Sequence, residues 1–267
     1  MIFKKSKKVE VCKTQIINVS SEKKAFEEVK PKNVGKLDMV IAFDTTGSMA
    51  EYIGAVRKEV ASLIPELFSD NEDLRLGIVA FGDYCDMTNS KKFGDAYQSI
   101  SLTRNENNLI KFVLKSKNTS GGDGDEFYEL VLKKIIEETP WRKDATKTIL
   151  LIYDANPHPL GYTYRDYVVG NQIDWRIEAR KAADKKIKID TVTITDADWY
   201  RELSAMTNGV SIPFHSGDKT ANLVRATASA RGSMKSRAKF DKLMLDCDDA
   251  EMFASYESLK KERDSFD

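Results

Sequence analysis

The sequence predicts an α/β fold: a central, mostly parallel six-stranded sheet with one antiparallel edge strand and helices on both faces. Three observations predict it. Apolar runs such as Met39-Val40-Ile41-Ala42-Phe43 and Leu76-Gly77-Ile78-Val79-Ala80-Phe81 have the length and continuity of strands buried on both faces. Stretches with helical spacing alternate with such runs along most of the chain. The strand over 97–102 follows 76–81 too soon for a helical crossover, so those two should pair antiparallel.

Residues 1 to about 35 are lysine-rich, and the KKSKK run reads as a solvated tail. Val9, Val11 and Ile16-Ile17 are compatible with a short strand there, and Pro31 and Gly35 break the chain before the core begins. The first core strand, 39–43, is followed by helical spacing over 50–68 through Ile53, Val56, Val60, Leu63 and Ile64. After the strands at 76–81 and 97–102, residues 105–117 and 126–138 read as helices. Thr148–Ile152 is a strand. Asp174 can cap a helix running to about Lys185. Ile187, Ile189, Val192 and Ile194 mark the next strand. A helix over 199–206, a strand over 210–214 and a helix over 220–231 complete the alternation. Residues 233–267 form a charged extension in which Phe253, Tyr256 and Leu259 sit at helical spacing, as for a helix docked on the domain. The expected organisation is a basic N-terminal extension (1–35), an α/β domain (36–232) and a charged, partly helical C-terminal extension (233–267).

The chain has 267 residues, enough for one sizeable domain with extensions. Lys+Arg and Asp+Glu are both 42, so no basic excess marks a general nucleic-acid binder. No run approaches the length of a membrane span. The basic N-terminal stretch has no apolar segment behind it, so no secretory signal is expected. Cys12, Cys85 and Cys247 are far apart and odd in number, which gives neither a zinc spacing nor a disulfide framework. A cytoplasmic location with reduced thiols is the expectation.

Ligands of open parallel sheets bind at the carboxyl ends of strands, where the strand order reverses. The first strand ends in Asp44-Thr45-Thr46-Gly47-Ser48-Met49. Asp44, Thr46 and Ser48 alternate on a tight loop and can converge on one point. A carboxylate and two hydroxyls are hard oxygen donors, suited to Mg²⁺ or Mn²⁺, with Ca²⁺ also of this class. Gly47 lets the backbone fold closely around the ion.

This Asp-x-Thr-x-Ser sequence, closing an apolar strand and opening a helix, resembles the metal-ion-dependent adhesion site of von Willebrand factor A (vWA) domains, which have a Rossmann-like fold. The resemblance covers roughly residues 36–232. It implies that a later loop and a later strand end supply further ligands. Ser120-Gly121-Gly122-Asp123-Gly124-Asp125-Glu126 is similar to the Gly-Gly-Asp-x-x-Glu version of that loop, and Asp154 stands where the family places an aspartate that holds the metal, usually through water. The metal set implied is Asp44, Thr46, Ser48, Asp123 and Asp154. Phe81-Gly82-Asp83-Tyr84-Cys85-Asp86, Asp154-Ala155-Asn156-Pro157-His158, Tyr162-Thr163-Tyr164 and Asp174-Trp175-Arg176 are similar to the subgroup found beside alpha-kinases and in bacterial stand-alone proteins. Where better-known members have a neutral threonine on the loop, Asp123 would add a third negative charge. That predicts firm metal binding and weaker capture of an external carboxylate.

The resemblance implies a protein-binding or adaptor module whose partner contacts the metal face. No phosphate loop, no Gly-x-Ser-x-Gly elbow and no His-Glu-x-x-His are present, and there are only two histidines. An enzyme is therefore not expected. A metal-assisted phosphoester hydrolase would need His158 or Glu126 as its base. A structural component of an assembly would make its contacts through the two extensions. His158 reads as a loop histidine with a local hydrogen bond, and His215 has no paired motif. Cys85, flanked by Asp83 and Asp86, should be a poor thiolate.

Overall fold

The computed structural model describes residues 35–88, 93–164, 172–195, 197–213 and 217–264. The basic N-terminal stretch, the strand expected near 9–17, Cys12 and His215 lie outside the described residues. The strands are β1 (Lys36–Asp44), β2 (Asp73–Phe81), β3 (Tyr97–Thr103), β4 (Asp125–Glu126), β5 (Thr146–Tyr153), β6 (Asn156–Pro157), β7 (Ile187–Thr193) and β8 (Ser211–Pro213). The helices are α1 (Ile53–Asp70), α2 (Glu106–Lys115), α3 (Tyr128–Glu138), α4 (Trp175–Asp184), α5 (Asp198–Met206), α6 (Gly217–Arg231), α7 (Met234–Leu245) and α8 (Ala250–Asp264).

Six strands form one sheet in the order β3-β2-β1-β5-β7-β8. Every pair is parallel except β2–β3, so the antiparallel edge strand lies where the short link requires it. Alternation along β1 divides the core. Met39, Ile41 and Phe43 pack against Val56, Val60 and Ile64 of α1, Leu109 and Val113 of α2, and Val224 and Ala228 of α6. Val40 and Ala42 face the other layer, with Val131 and Ile135 of α3, Ala179 of α4 and Leu203 of α5. The strand order reverses between β1 and β5, and both strands end at the same edge. That junction carries Asp44 and Asp154.

Two features were not anticipated. β4 and β6 form a separate two-stranded parallel ladder, pairing Asp125 with Asn156 and Glu126 with Pro157. It ties the Gly-Gly-Asp loop to the loop after β5. The C-terminal residues also form two helices, not one. α7 was missed because it carries little apolar periodicity: Phe240 is buried, while Met234 and Leu245 are 65% and 85% exposed. Phe240 joins Met252, Tyr256 and Leu259 of α8 in a cluster with Val210, Ile212 and Leu223. The buried Arg231 pins this region by donating to Asp190 at 2.5 and 2.7 Å and to Glu262 at 3.2 Å.

Candidate metal centre

Asp44 ends β1 fully buried. Its Oδ1 accepts from the Thr46 amide at 2.7 Å and the Thr46 hydroxyl at 2.6 Å, and its Oδ2 accepts from the Tyr128 hydroxyl at 2.5 Å. The Thr46 hydroxyl is 3.2 Å from that of Ser48, which in turn lies against the Asp154 carboxyl. Four of the five sequence-predicted ligands, Asp44, Thr46, Ser48 and Asp154, are thus brought together.

The loop before α3 sits directly on this group. Gly47 donates to the Ser120 carbonyl at 3.1 Å, and Thr119 donates to the Thr45 carbonyl at 3.0 Å. A Cβ on Gly47 would lie 3.0 Å from the Ser120 oxygen and crowd the loop, so the close approach favours glycine. Gly121 has φ +65, and a Cβ there would meet Glu126 Oε1 at 2.7 Å. Asp86 holds the loop from the other side, accepting from Ser120 at 2.8 Å and from Gly121 at 3.1 Å. The strand-end loop is fixed too, since Tyr200 and Trp199 donate to the Ala155 carbonyl at 2.8 and 3.2 Å.

From that loop it is Glu126, 3% exposed, that lies against the Thr46 hydroxyl and feels the Asp44 charge. Asp123 is exposed and turned elsewhere. Its Oδ2 accepts from the Tyr162 hydroxyl at 3.1 Å, and it groups with Asp83 and His158, with one donor atom from each within 4.8 Å of the others. The Gly-Gly-Asp-x-x-Glu motif held both residues, but only the fold shows which carboxylate faces which cluster. The β4–β6 pairing immobilises Glu126, while Asp123 sits on the turn ahead of it.

Burial pushes the Asp44 carboxyl up to about 7, with the Asp154 charge adding to it, against the hydrogen bonds from Thr46 and Tyr128. Burial, then the Asp44 and Asp83 charges, push Glu126 up to about 10. Burial also raises Asp154. Among the described residues, no lysine or arginine pairs with Asp44, Glu126 or Asp154. Glu126 Oε2 and Asp154 Oδ1 are buried and have no hydrogen-bond partner among the described residues. Hard oxygen donors with orphaned carboxylate atoms and no internal cation fit a divalent metal ion.

The profile of the von Willebrand factor type A domain matches residues 38–227. The chain belongs to this family. Domains of the family are typically protein-binding modules. A search of curated proteins found no match. Among solved structures, this vWA domain is similar to the pilus adhesin SpaC from Lactobacillus rhamnosus GG in an open conformation, with TM-score 0.50, 15% sequence identity, and coverage of 74% of this chain and 30% of the adhesin. At that identity the likeness speaks for the fold alone.

Beside the Asp44 group, the vWA domain carries the candidate metal-binding triad Asp83, Asp123 and His158. Asp83 is fully buried and His158 is 4% exposed. Their side chains meet at 2.7 Å, and the His158 ring stacks on Tyr162 at 3.7 Å. Burial works against protonation of His158, but Asp83, Glu129 and Asp123 outweigh it and raise its pKa. The histidine's partner is thus a residue from the loop after β2, not a local one. Burial and the Asp86 and Asp83 carboxylates push the Cys85 thiol up to about 12, which makes it a poor nucleophile, as its flanking acids imply.

Proposed function

We propose that this vWA domain binds a protein partner through a divalent cation, Mg²⁺ in the first instance, held by Asp44, Thr46, Ser48, Glu126 and Asp154. The observation that carries the reading is the buried acidic group itself. Among the described residues, two carboxylate oxygens in it lack a hydrogen-bond partner, and no lysine or arginine neutralises it. The cation would supply that charge and keep an open position at the carboxyl edge of the sheet. The chain's own residues orient the donors. Tyr128 and the Thr46 amide fix the Asp44 carboxylate, Asp86 fixes the glycine loop, and the β4–β6 ladder fixes Glu126.

Three carboxylates would exceed the charge of one divalent ion, so the partner presents a hydroxyl or basic group to this face rather than a carboxylate. Glu126 takes the place beside Asp44 that Asp123 was expected to fill. We read the module as a cytoplasmic adaptor of the Gly-Gly-Asp-x-x-Glu subgroup resembling the vWA domains associated with alpha-kinases. Binding is favoured over hydrolysis because the two candidate bases, His158 and Glu126, are 4% and 3% exposed. His158 is also engaged with Asp83. Affinity capture with and without EDTA, repeated with Asp44→Ala, tests the reading. A partner retained only with Mg²⁺ and only by the wild type supports it, and a partner indifferent to both refutes it.

A further inference from the structure

The Asp83, Asp123 and His158 group draws on three separate loops: after β2, before α3 and after β6. Its donors differ from those around Asp44, because an imidazole replaces the hydroxyls. We propose that Asp83, His158 and Asp123 hold a second divalent cation, of the first-row transition type such as Zn²⁺ or Co²⁺, separate from the ion at Asp44.

The spacing of the three donors fits one ion. Two donors at about 2.1 Å from one ion stand roughly 3 Å apart at a right angle and roughly 4.2 Å apart across it. Asp83 Oδ1 and His158 Nε2 are 2.7 Å apart, and one donor from each of the three residues falls within 4.8 Å of the others. Small side-chain adjustments suffice to bring them onto one ion.

The histidine suits the ion as well. Its ring is almost wholly buried, and Nε2 is the nitrogen that faces Asp83. An ion would take Nε2, with the proton of the neutral ring on Nδ1.

The charge of the cluster also fits. Asp83, Asp123 and Glu129 all act on the imidazole, and no described lysine or arginine pairs with them. Glu129 is occupied: it accepts from the Tyr84 hydroxyl at 2.8 Å and the His158 amide at 3.2 Å. That leaves two carboxylates and one imidazole as donors, a set whose charge one divalent ion balances. Mixed nitrogen and oxygen ligation selects transition ions over Mg²⁺. Asp123 is exposed, so the ion would be open to solvent on one side. The 120–126 loop then serves two centres, with Glu126 facing one and Asp123, three residues earlier, facing the other.

The test uses the full chain, stripped with EDTA, saturated with Mg²⁺ and titrated with Co²⁺, reading visible absorption and the heat of binding. The expected result is one Co²⁺ equivalent that Mg²⁺ does not displace. Its affinity should fall at least about tenfold in His158→Asn and in Asp123→Ala and persist in Asp44→Asn. Asp123 is exposed, so Asp123→Ala keeps the test valid if the buried His158 variant fails to fold. No such equivalent in the wild type would overturn the proposal. So would an equivalent unchanged by Asp123→Ala, or one lost only in Asp44→Asn. Asp83 and His158 would then be a buried ion pair and nothing more.

Discussion

Two aspartates on β1, Asp38 and Asp44, are both fully buried, at opposite ends of the same strand. Their surroundings differ in one respect. Asp38 accepts from Arg75 Nε and Nη2 at 2.9 and 2.6 Å, and from the Arg142 amide and Nε at 2.8 and 2.9 Å. Burial would raise its pKa, but these hydrogen bonds and the two guanidinium charges outweigh it and hold the carboxyl below its ordinary value. Asp44 receives hydrogen bonds as short as any at Asp38, but only from neutral groups, and burial carries it up to about 7. Hydrogen bonding alone therefore does not settle a buried carboxylate at this depth. A cation does, and at the carboxyl edge none is supplied among the described residues. The amino edge is closed by the protein's own arginines, whereas the carboxyl edge is where we propose that an ion binds.

Breaking the closed end should have the largest effect. Asp38→Asn removes the charge that Arg75 and Arg142 share. Losing one partner of a fully buried pair costs about 3–5 kcal/mol. Arg75 and Arg142 keep 24% and 21% of their side-chain surface exposed, so water offsets part of that. The expected loss in urea denaturation is about 2 kcal/mol, independent of Mg²⁺.

The two ends should also respond to pH with opposite signs. Asp38 has a lowered pKa, so its contribution is present above its unfolded value of 3.8 and is lost as pH falls through the folded value below that. Asp44 has a raised pKa, so its contribution is complete below its unfolded value of 3.8 and is lost as pH rises through about 7. Metal-free protein should therefore melt at a higher temperature near about pH 5 than near about pH 8, and saturating Mg²⁺ should shrink or reverse that difference. Calorimetric melts at both values, with EDTA or Mg²⁺, check it.

A finer effect separates orientation from charge at the open end. Tyr128→Phe keeps the ring in its aromatic packing but removes the hydroxyl that holds Asp44 Oδ2. Mg²⁺ affinity should fall about tenfold, as for other groups that orient a metal ligand. Isothermal titration of the variant and the wild type reads this directly.

The open end was largely legible in the sequence. The apolar runs located the core strands, the short link before β3 fixed the antiparallel edge, and Asp-x-Thr-x-Ser placed Asp44, Thr46 and Ser48 at a strand end. Asp154 follows from the same logic on β5. Three things were not legible. Asp123 and Glu126 share one glycine-rich loop, and which of them faces Asp44 depends on the β4–β6 pairing, two residues per strand and too short to leave a periodic pattern. Asp83 reaches His158 across 75 positions of sequence, a contact made by packing, with no spacing to betray it. Arg142 reaches Asp38 across 104 positions, so the closed end was also invisible in the sequence.

Asp44→Asn tests, with little change of shape, whether a divalent cation completes the Asp44 end. Urea unfolding at about pH 8 should be compared in EDTA and in saturating Mg²⁺. Mg²⁺ should stabilise the wild type by about 2–3 kcal/mol at roughly 100 times its Kd. Asp44→Asn should be more stable than the wild type in EDTA and gain nothing from Mg²⁺. Equal stability of the wild type with and without Mg²⁺, or the same Mg²⁺ gain in Asp44→Asn, would contradict it.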